Sequence, residues 1–486
     1  MAITVQGPTG VFQPSYPDII DKYGVVTKMF TSSFKEYFTS SGAASYSVNK
    51  SLRFRSSASA YLNRTAATAT NQKTFTWSAW VKLGNVGTGT RAFFNANPNS
   101  STDGFNIYIG LNSDNDIGVS QLVSASNVIR CATNAVYRDP AAWYHVVVVV
   151  DTTQATNSNG VVIYVNGAIQ TLTFNAYTQN ANTYVNSAIS HQLGRSTSAS
   201  GGSGAYYDGE MAEVNFVDGI AVPIAELGAS STYNQWLPIK YAGTYGTNGF
   251  YLPFTNTAST STLVADSSGN ANNWTPNNIS LTAGITYDSL TDVPTLTSTT
   301  VANYAVLNPL SIRSGAPKSS DGNLTIAWGG TYPANALATI GVSTGKWYWE
   351  VGFAGGTFAN NPTVGVAVSA WSNVNTDPTG AATPFSHLVG GAGSFYNNGT
   401  ATVNAVTFGP GDTVGVALNC DTNVVSFYKN NTLIGTAQSI DSGQTWFPFH
   451  ANSSFTALTQ YANYGQQPFV YPTPPSGFLP LNTFNI

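Results

Sequence analysis

Gly345-Lys346-Trp347-Tyr348-Trp349-Glu350-Val351 decides the fold, together with three runs that follow it. These are Val364-Gly365-Val366-Ala367-Val368, Gly411-Asp412-Thr413-Val414-Gly415-Val416-Ala417-Leu418 and Val425-Ser426-Phe427-Tyr428-Lys429-Asn430-Asn431. Each is apolar, rich in β-branched and aromatic residues, and ends in a turn signal, so each reads as a strand. Period-two alternation puts Trp347, Trp349, Val351 and Phe353 on one face and Tyr348 and Glu350 on the other. Gly365 and Gly415 sit mid-strand, where glycine marks close backbone approach or a bulge. Asn430-Asn431 suits a tight hairpin, because asparagine tolerates positive φ.

Working upstream, Ser51 to Phe54, Phe75 to Val81, Phe105 to Ile109, Asp116 to Val123, Trp143 to Val150 and Val161 to Val165 read as further strands. Asn166-Gly167 is a strong hairpin signal, and Tyr207 to Phe216 closes the set. The grammar repeats. Val146–Val150 leads to Asp151-Thr152, a strand and Asn166-Gly167, as Val414–Leu418 leads to Asp421-Thr422, a strand and Asn430-Asn431. Two sandwiches of one architecture would produce that echo. The expected class is all-β: two jelly-roll sandwiches in tandem with an N-terminal arm and an extended C-terminal tail. The expected boundaries are 1–45 for the arm or an ordered flank, 46–240 for the first sandwich and 241–310 for a packed connector. The second sandwich takes 311–463 and the Pro-rich tail 464–486. Ile19 to Phe30 and Ser32 to Thr39 are read as short helices or extended segments.

Composition narrows the function. The chain has 486 residues, 8% of them charged, 42% hydrophobic and 13% aromatic, with net charge −4. The longest aliphatic run, Val146 to Val150, is far short of the ~20 residues of a spanning helix. No basic cluster provides a nucleic-acid footprint. The N-terminal stretch has no apolar core of a secretory signal. Cys131 and Cys420 fall in separate domains and are expected to be buried free thiols. A neutral skin of Ser, Thr, Asn and Gly keeps a particle soluble without strong charge fields.

The motifs of the second half resemble a SPRY domain, whose "GKhYWEV" strand, "GDvvGvaLd" strand and "vsFykNg" hairpin occur in that order. That resemblance implies a concanavalin-like β-sandwich whose relatives bind protein or peptide through surface loops. Ser51-Leu52-Arg53-Phe54, Phe75 to Val81, Trp143 to Asp151, Tyr164-Val165-Asn166-Gly167 and Tyr207 to Phe216 resemble a laminin-G-like domain of the concanavalin-like lectin/glucanase superfamily. That implies a jelly roll and, in many relatives, carbohydrate or protein recognition. Adding the Ser267 to Asn278 connector and the Gly465 to Thr483 tail, the run past residue 50 is similar to bacteriophage virion proteins, above all tail fibres or appendages.

For chemistry, Asp208-x-Glu210-x-x-Glu213 is the sharpest candidate. Glucanases on this fold use a Glu-x-Asp-x-x-Glu strand with a β-bulge, and retaining glycosidases need two carboxyls about 5 Å apart. The same residues match the laminin-G-like closing strand, where carboxylates need not be catalytic. His145, His191, His387 and His450 form no metal-spaced pair, and no nucleophile elbow or phosphate loop is present. No cofactor is implied. Asp114-Asn115-Asp116 and the turn beginning at Asp266 are oxygen-rich and are the candidates for calcium. In the second sandwich, the loops 358–362, 371–384 and 387–398 offer Trp371, Phe385, His387, Phe395 and Tyr396 as ligand contacts if exposed, or as core if not.

The resemblance implies a non-enzymatic virion protein, made in a host cytoplasm, that binds host surface glycan or protein. Its partners would be other virion proteins and copies of itself, a trimer by analogy with fibres, with no nucleic acid and no membrane insertion. A decoration or cement protein without ligand and a glycan depolymerase are the alternatives.

Overall fold

The computed structural model describes residues 5–7, 10–12 and 46–486, apart from 85, 88, 113–114, 198–204, 233, 313–317, 330–333, 356–361, 373–376, 381–384, 453–456 and 472–473. The chain divides into two compact units, Met1–Ser45 with Ser230–Gln235, and Tyr46–Ala229 with Trp236–Ile486. In the smaller unit Val5–Gly7 pairs antiparallel with Gly10–Phe12. The segments Ile19 to Phe30 and Ser32 to Thr39 lie outside the described residues.

The larger unit holds two β-sandwiches. The front sheet of the first runs, in spatial order, Ala168–Ile169, Val161–Val165, Trp143–Asp151, Thr74–Leu83, Gly209–Asp218, Ser51–Phe54 and Ser289–Leu290. Its back sheet runs Leu172–Tyr177, Ser126–Val136, Asp116–Val123, Gly104–Ile109, Arg91–Asn97, Ser190–Leu193, Tyr61–Thr65 and Thr275–Asn277. Alternation along Thr74–Leu83 sends Trp77, Ala79, Val81 and Leu83 into the core between the sheets. There Trp77 stacks on Phe93 of the back sheet at 5.9 Å. Losing such a ring costs about 3–5 kcal/mol.

The second sandwich retraces this path. Its front sheet runs Thr432–Leu433, Val424–Lys429, Thr413–Asn419, Lys346–Ala354, Leu458–Asn463, Thr325–Trp328 and Ser319–Ser320. Its back sheet runs Thr400–Val403, Ser394–Asn397, Ser386–Gly390, Pro362–Ala367, Phe447–Asn452 and Ala334–Leu337. The echo read in the sequence is therefore a repeat of topology. Both edge hairpins turn on two residues with positive φ, Asn166 (49°) and Gly167 (77°), and Asn430 (48°) and Asn431 (68°). This is the turn whose twist matches paired strands. The mid-strand glycines are close approaches: a Cβ on Gly365 would meet the His387 carbonyl, and one on Gly415 the Tyr348 hydroxyl.

The packed connector is built largely onto the first sandwich. Phe250–Leu252 pairs with Val214–Phe216, Thr275–Asn277 with Tyr61–Asn63 and Ser289–Leu290 with Ser51–Leu52. Residues 291–305 then strap the outer face of the front sheet, where Val293 packs with Val48, Trp80, Trp143 and Ala212. The strap ends inside the second core through Tyr304 to Leu307. The C-terminal tail likewise straps the outer face of the second front sheet. Glu350 accepts the N–H groups of Val470 (2.7 Å) and Tyr471 (3.0 Å), Phe469 meets Tyr348 edge-on at 5.1 Å, and Leu479–Pro480 pairs parallel with Trp347–Tyr348. Leu481 is fully buried, so this segment is spent on its own sandwich.

Candidate functional site

The three carboxylates of the closing strand are all interior: Asp208 is 2%, Glu210 1% and Glu213 6% exposed. The expected bulge is present, since pairing with Thr74–Leu83 shifts register between Ala212 and Asn215 and Glu213 takes φ 53°. Asp208 accepts the N–H groups of Asp321 (2.9 Å) and Gly322 (2.8 Å) and the Ser56 hydroxyl. Asp321 and Gly322 both have positive φ, 57° and 74°, so successive amides converge on one carboxylate. Asp321 in turn accepts the Ser57 hydroxyl at 2.8 Å, and Asn323 Nδ2 donates to the Leu83 carbonyl at 3.0 Å. This turn leads into the second sandwich, so Asp208 fastens one sandwich to the other. Burial, then the neighbouring Asp321 charge, push its pKa up to about 6 against the pull of its donors.

Glu210 points to the outer face of the sheet, beneath the strap. Its Oε2 is 3.4 Å from the Ser51 hydroxyl and its Oε1 has no hydrogen-bond partner. Burial first, and Asp292 second, hold its pKa well above the usual carboxylate range, while Lys82 and Arg53 oppose them. Glu213 accepts from the hydroxyls of Tyr46 and Tyr251, the latter at 2.7 Å, and burial raises its pKa. Around them lies a layer of buried ion pairs. Arg53 and Arg55 share Asp288 at 3.2 and 2.8 Å, and Lys82 Nζ meets Asp292 at 2.6 Å, Asn303 at 2.8 Å and the Tyr304 carbonyl at 2.9 Å. Asp208, Asp288 and Asp292 are each met by donors, as burial of charge demands, whereas Glu210 Oε1 has none. The arrangement can fasten and can store a proton. The face on which a sugar chain would have to lie against these carboxyls is occupied by 291–305.

The aromatic candidates of the second sandwich are mostly interior, the core alternative for all but Phe385. Segment 387–398 is two paired strands and not a loop. Trp371 (0% exposed) and Tyr396 (9%) belong to a cluster with Leu337, Leu388 and Phe449, and Phe395 (4%) belongs to the main core. His387 (3%) is held between Asn397 (3.0 Å) and Asp441 (2.9 Å), edge-on to Trp446. Phe385 alone of the five stays exposed, at 37%. Much of the surrounding loops, 358–361, 373–376 and 381–384, lies outside the described residues.

Of the calcium candidates, Asp114 lies outside the described residues. Asp116 accepts the N–H groups of Leu111 (2.6 Å) and Asn112 (3.0 Å). Asp266 accepts those of Tyr251, Ser268 and Asn272 at 2.8–2.9 Å. Both carboxylates therefore organise their own turns. Among the described residues no group of three His, Cys, Asp or Glu side chains converges on one point. His145 accepts Trp236 Nε1 at Nδ1 and so donates Nε2–H to Ser78, both at 2.9 Å. Stacked on Trp80, it is held neutral by burial, which lowers its pKa to about 3. Both cysteines are buried and unbridged, with burial raising each thiol to about 12.

Residues 55–222 match the profile of the Concanavalin A-like lectin/glucanases superfamily, and residues 346–462 match the SPRY domain profile. ATP-dependent RNA helicase DDX1 of Xenopus laevis is 27% identical over 191 residues, which is 38% of this chain and 24% of that protein, so the chain spans about a quarter of its curated relative. Among solved structures, the SPRY domain of human HERC1 is 18% identical over 32% of this chain and 96% of its own, with a TM-score of 0.28. A provisionally assigned carbohydrate binding protein from Bacteroides ovatus is 16% identical over 48% of this chain and 59% of its own, with a TM-score of 0.33. The heptameric SAP-like pentraxin of Limulus polyphemus is 18% identical over 37% and 81%, with a TM-score of 0.27. None of these partial overlaps bears on what this chain binds. The chain therefore carries a concanavalin A-like domain followed by a SPRY domain, each a β-sandwich.

Proposed function

We propose that this chain is a non-enzymatic structural protein of a bacteriophage virion, a tail fibre, appendage or head fibre that binds a host surface glycan or protein. The observation that carries the reading is the joint. Two sandwiches of a recognition fold share one compact unit, joined by the Asp208 carboxylate on the Asp321 and Gly322 amides and by the strap that Lys82 holds, with residues 1–45 in another. Of the three carboxylates that would serve a hydrolase, Asp208 is spent on that joint and Glu213 on the hydroxyls of Tyr46 and Tyr251, and all three are buried, which favours binding over cleavage. Because the tail is strapped to its own sandwich, the N-terminal segment is the part assigned to docking on the particle. The phage setting rests on the motif run past residue 50, and a homotrimer is part of the same proposal.

The test uses labelled full-length protein and a panel of intact bacterial cells. Saturable attachment is expected, lost after periodate if the receptor is a glycan and after protease if it is a protein. Absence of attachment across the panel, with the protein adding to particles made without it, would leave a decoration protein. Shortening of a cell-surface polysaccharide would instead establish a depolymerase.

A further inference from the structure

Lys82 is the one buried lysine among the described residues, and its Nζ meets three oxygens of the strap. Asp292 Oδ2 lies at 2.6 Å, Asn303 Oδ1 at 2.8 Å and the Tyr304 carbonyl at 2.9 Å. The three protons of an ammonium are thereby spent. Asp292 is fully buried, and its other oxygen accepts Trp143 Nε1–H at 2.9 Å. The Asn303 amide is fixed from its far side too, since its Nδ2 donates to the Ala141 carbonyl at 2.8 Å. The flank of the group is apolar. Trp143 stands opposite Lys82 in the sheet, and Trp80, two positions before it on the same face, packs with Val293 of the strap. An amine, a carboxylate able to take its proton and a primary amide therefore meet in one water-poor place. Those are the parts of an amide exchange. Arg53 and Arg55, the other cations of the layer, carry guanidinium groups that keep their protons.

We propose that Lys82 and Asn303 become joined by an isopeptide bond between Nζ and Cγ, which the chain forms by itself once the strap is laid down. Asp292 takes one proton from the Lys82 ammonium. Rotation about Cε–Nζ turns the freed electron pair onto Asn303 Cγ, and the N–C bond forms. Asp292 then relays protons from Nζ to Nδ2, the Cγ–Nδ2 bond breaks and the nitrogen departs as ammonium. An ammonium and a primary amide thus become a secondary amide and an ammonium ion, with Asp292 again a carboxylate and no other reactant consumed. Asn303 is half-buried, so the departing nitrogen leaves from the edge of the layer. Amines attack primary amides very slowly in free solution, but fixing the two groups together supplies an effective concentration of roughly 10⁵–10⁸ M. The bond clamps the strap to the first sandwich just before it enters the second core, so tension across the joint falls on a covalent link. The inference goes beyond the attachment reading above and does not rest on it.

The full-length protein is unfolded in urea, digested with trypsin and mapped by mass spectrometry. Acylated Lys82 is no longer a cleavage site, so residues 74–91 are expected joined to 241–313 in a branched peptide, lighter by one ammonia than the two segments together. Lys82→Arg keeps a positive charge against Asp292 but has no amine to give, and Asp292→Asn removes the base. Each variant should yield the segments unlinked. The wild-type map decides even if a variant does not fold. Cleavage after Lys82, with 241–313 recovered unlinked, overturns the proposal. A branch at Asp292 with loss of water also overturns it, since Asp292 would then be the group attacked. A branched peptide undiminished in Asp292→Asn removes the base from the mechanism and overturns it as written.

Discussion

Glu210→Gln tests how the joint holds its charge. Glu210 and Asp292 sit close in the same buried layer, and Asp292 has the better donors, Lys82 Nζ at 2.6 Å and Trp143 Nε1 at 2.9 Å. The negative charge of the pair therefore rests on Asp292 and the proton on Glu210, whose Oε1 has no partner. Unfolded, a glutamate titrates near 4.5, so at pH 7 folding takes up a proton. The native state binds more protons than the unfolded one, so this group's contribution is full below pH 4.5 and declines as pH rises. The slope approaches about 1.4 kcal/mol per pH unit, or about 3 kcal/mol between pH 4.5 and 7. Glutamine has the shape of the neutral acid and needs no proton, while its second amide hydrogen forfeits about 1 kcal/mol if unmet. The variant should then be about 1–3 kcal/mol more stable than wild type at pH 7 and no more stable at pH 4.5. Urea unfolding at several pH values, followed by tryptophan fluorescence, measures this. Asp208 titrates in both proteins and cancels in the difference. A variant less stable at pH 7 by more than about 1 kcal/mol, with parallel pH profiles, would refute the reasoning and make Glu210 an ionised partner of Lys82 and Arg53.

Other parts of the fold are open to simpler tests. Gly322→Ala forces a side chain into φ 74° with its Cβ 3.4 Å from Glu210 Oε1, and should cost about 1–2 kcal/mol in denaturant unfolding. Its effect should be non-additive with Asp208→Asn, because both act on one contact. Glu350→Ala strands the amides of Val470 and Tyr471, a loss of about 2–4 kcal/mol to the strap. Chymotrypsin should then cut at Tyr471 or Phe478 faster than in wild type, and an unchanged rate would mean the strap is held elsewhere. Trp371→Ala should lower stability by about 3–5 kcal/mol, as for a core ring. Lost ligand binding at undiminished stability would instead restore Trp371 to the surface.

The strands that carried a clean signal were readable from residue types alone. Val161–Val165 and Asp116–Val123 have the expected bounds, and Asn166-Gly167 turns as its composition requires. Those missed were polar or mixed. Ser126–Val136 is buried only along its middle, Leu172–Tyr177 is a half-buried edge strand and Thr400–Val403 an exposed one, so polar residues dilute the pattern in each. The candidate carboxylates stood out because of their spacing, but their fate depends on partners far along the chain, such as Asp321 and Asp292. Spacing cannot report that the outer face is covered. Residue types left the aromatics open between core and surface, because Phe395 sits beside glycine-rich, turn-like sequence.

The duplicated topology explains why the closing strand of the first sandwich carries acids and that of the second does not. In the second, Leu458–Asn463 carries Gln460, whose amide donates to the Ala451 carbonyl at 2.9 Å, and the strap is caught by backbone N–H groups on Glu350. That strap closes on its own sandwich. The first strap leaves its sandwich and enters the next core, so the first sheet must grip a continuing chain and the turn of a neighbour as well. Fixed charges suit that task. A carboxylate such as Asp208 accepts two backbone amides at once, and Lys82 gathers a carboxylate, an amide oxygen and a carbonyl from one strap. Apolar packing alone would bury as much area without choosing the register. The motif that most resembles catalytic machinery thus lies, through Asp208, at the joint between the two sandwiches.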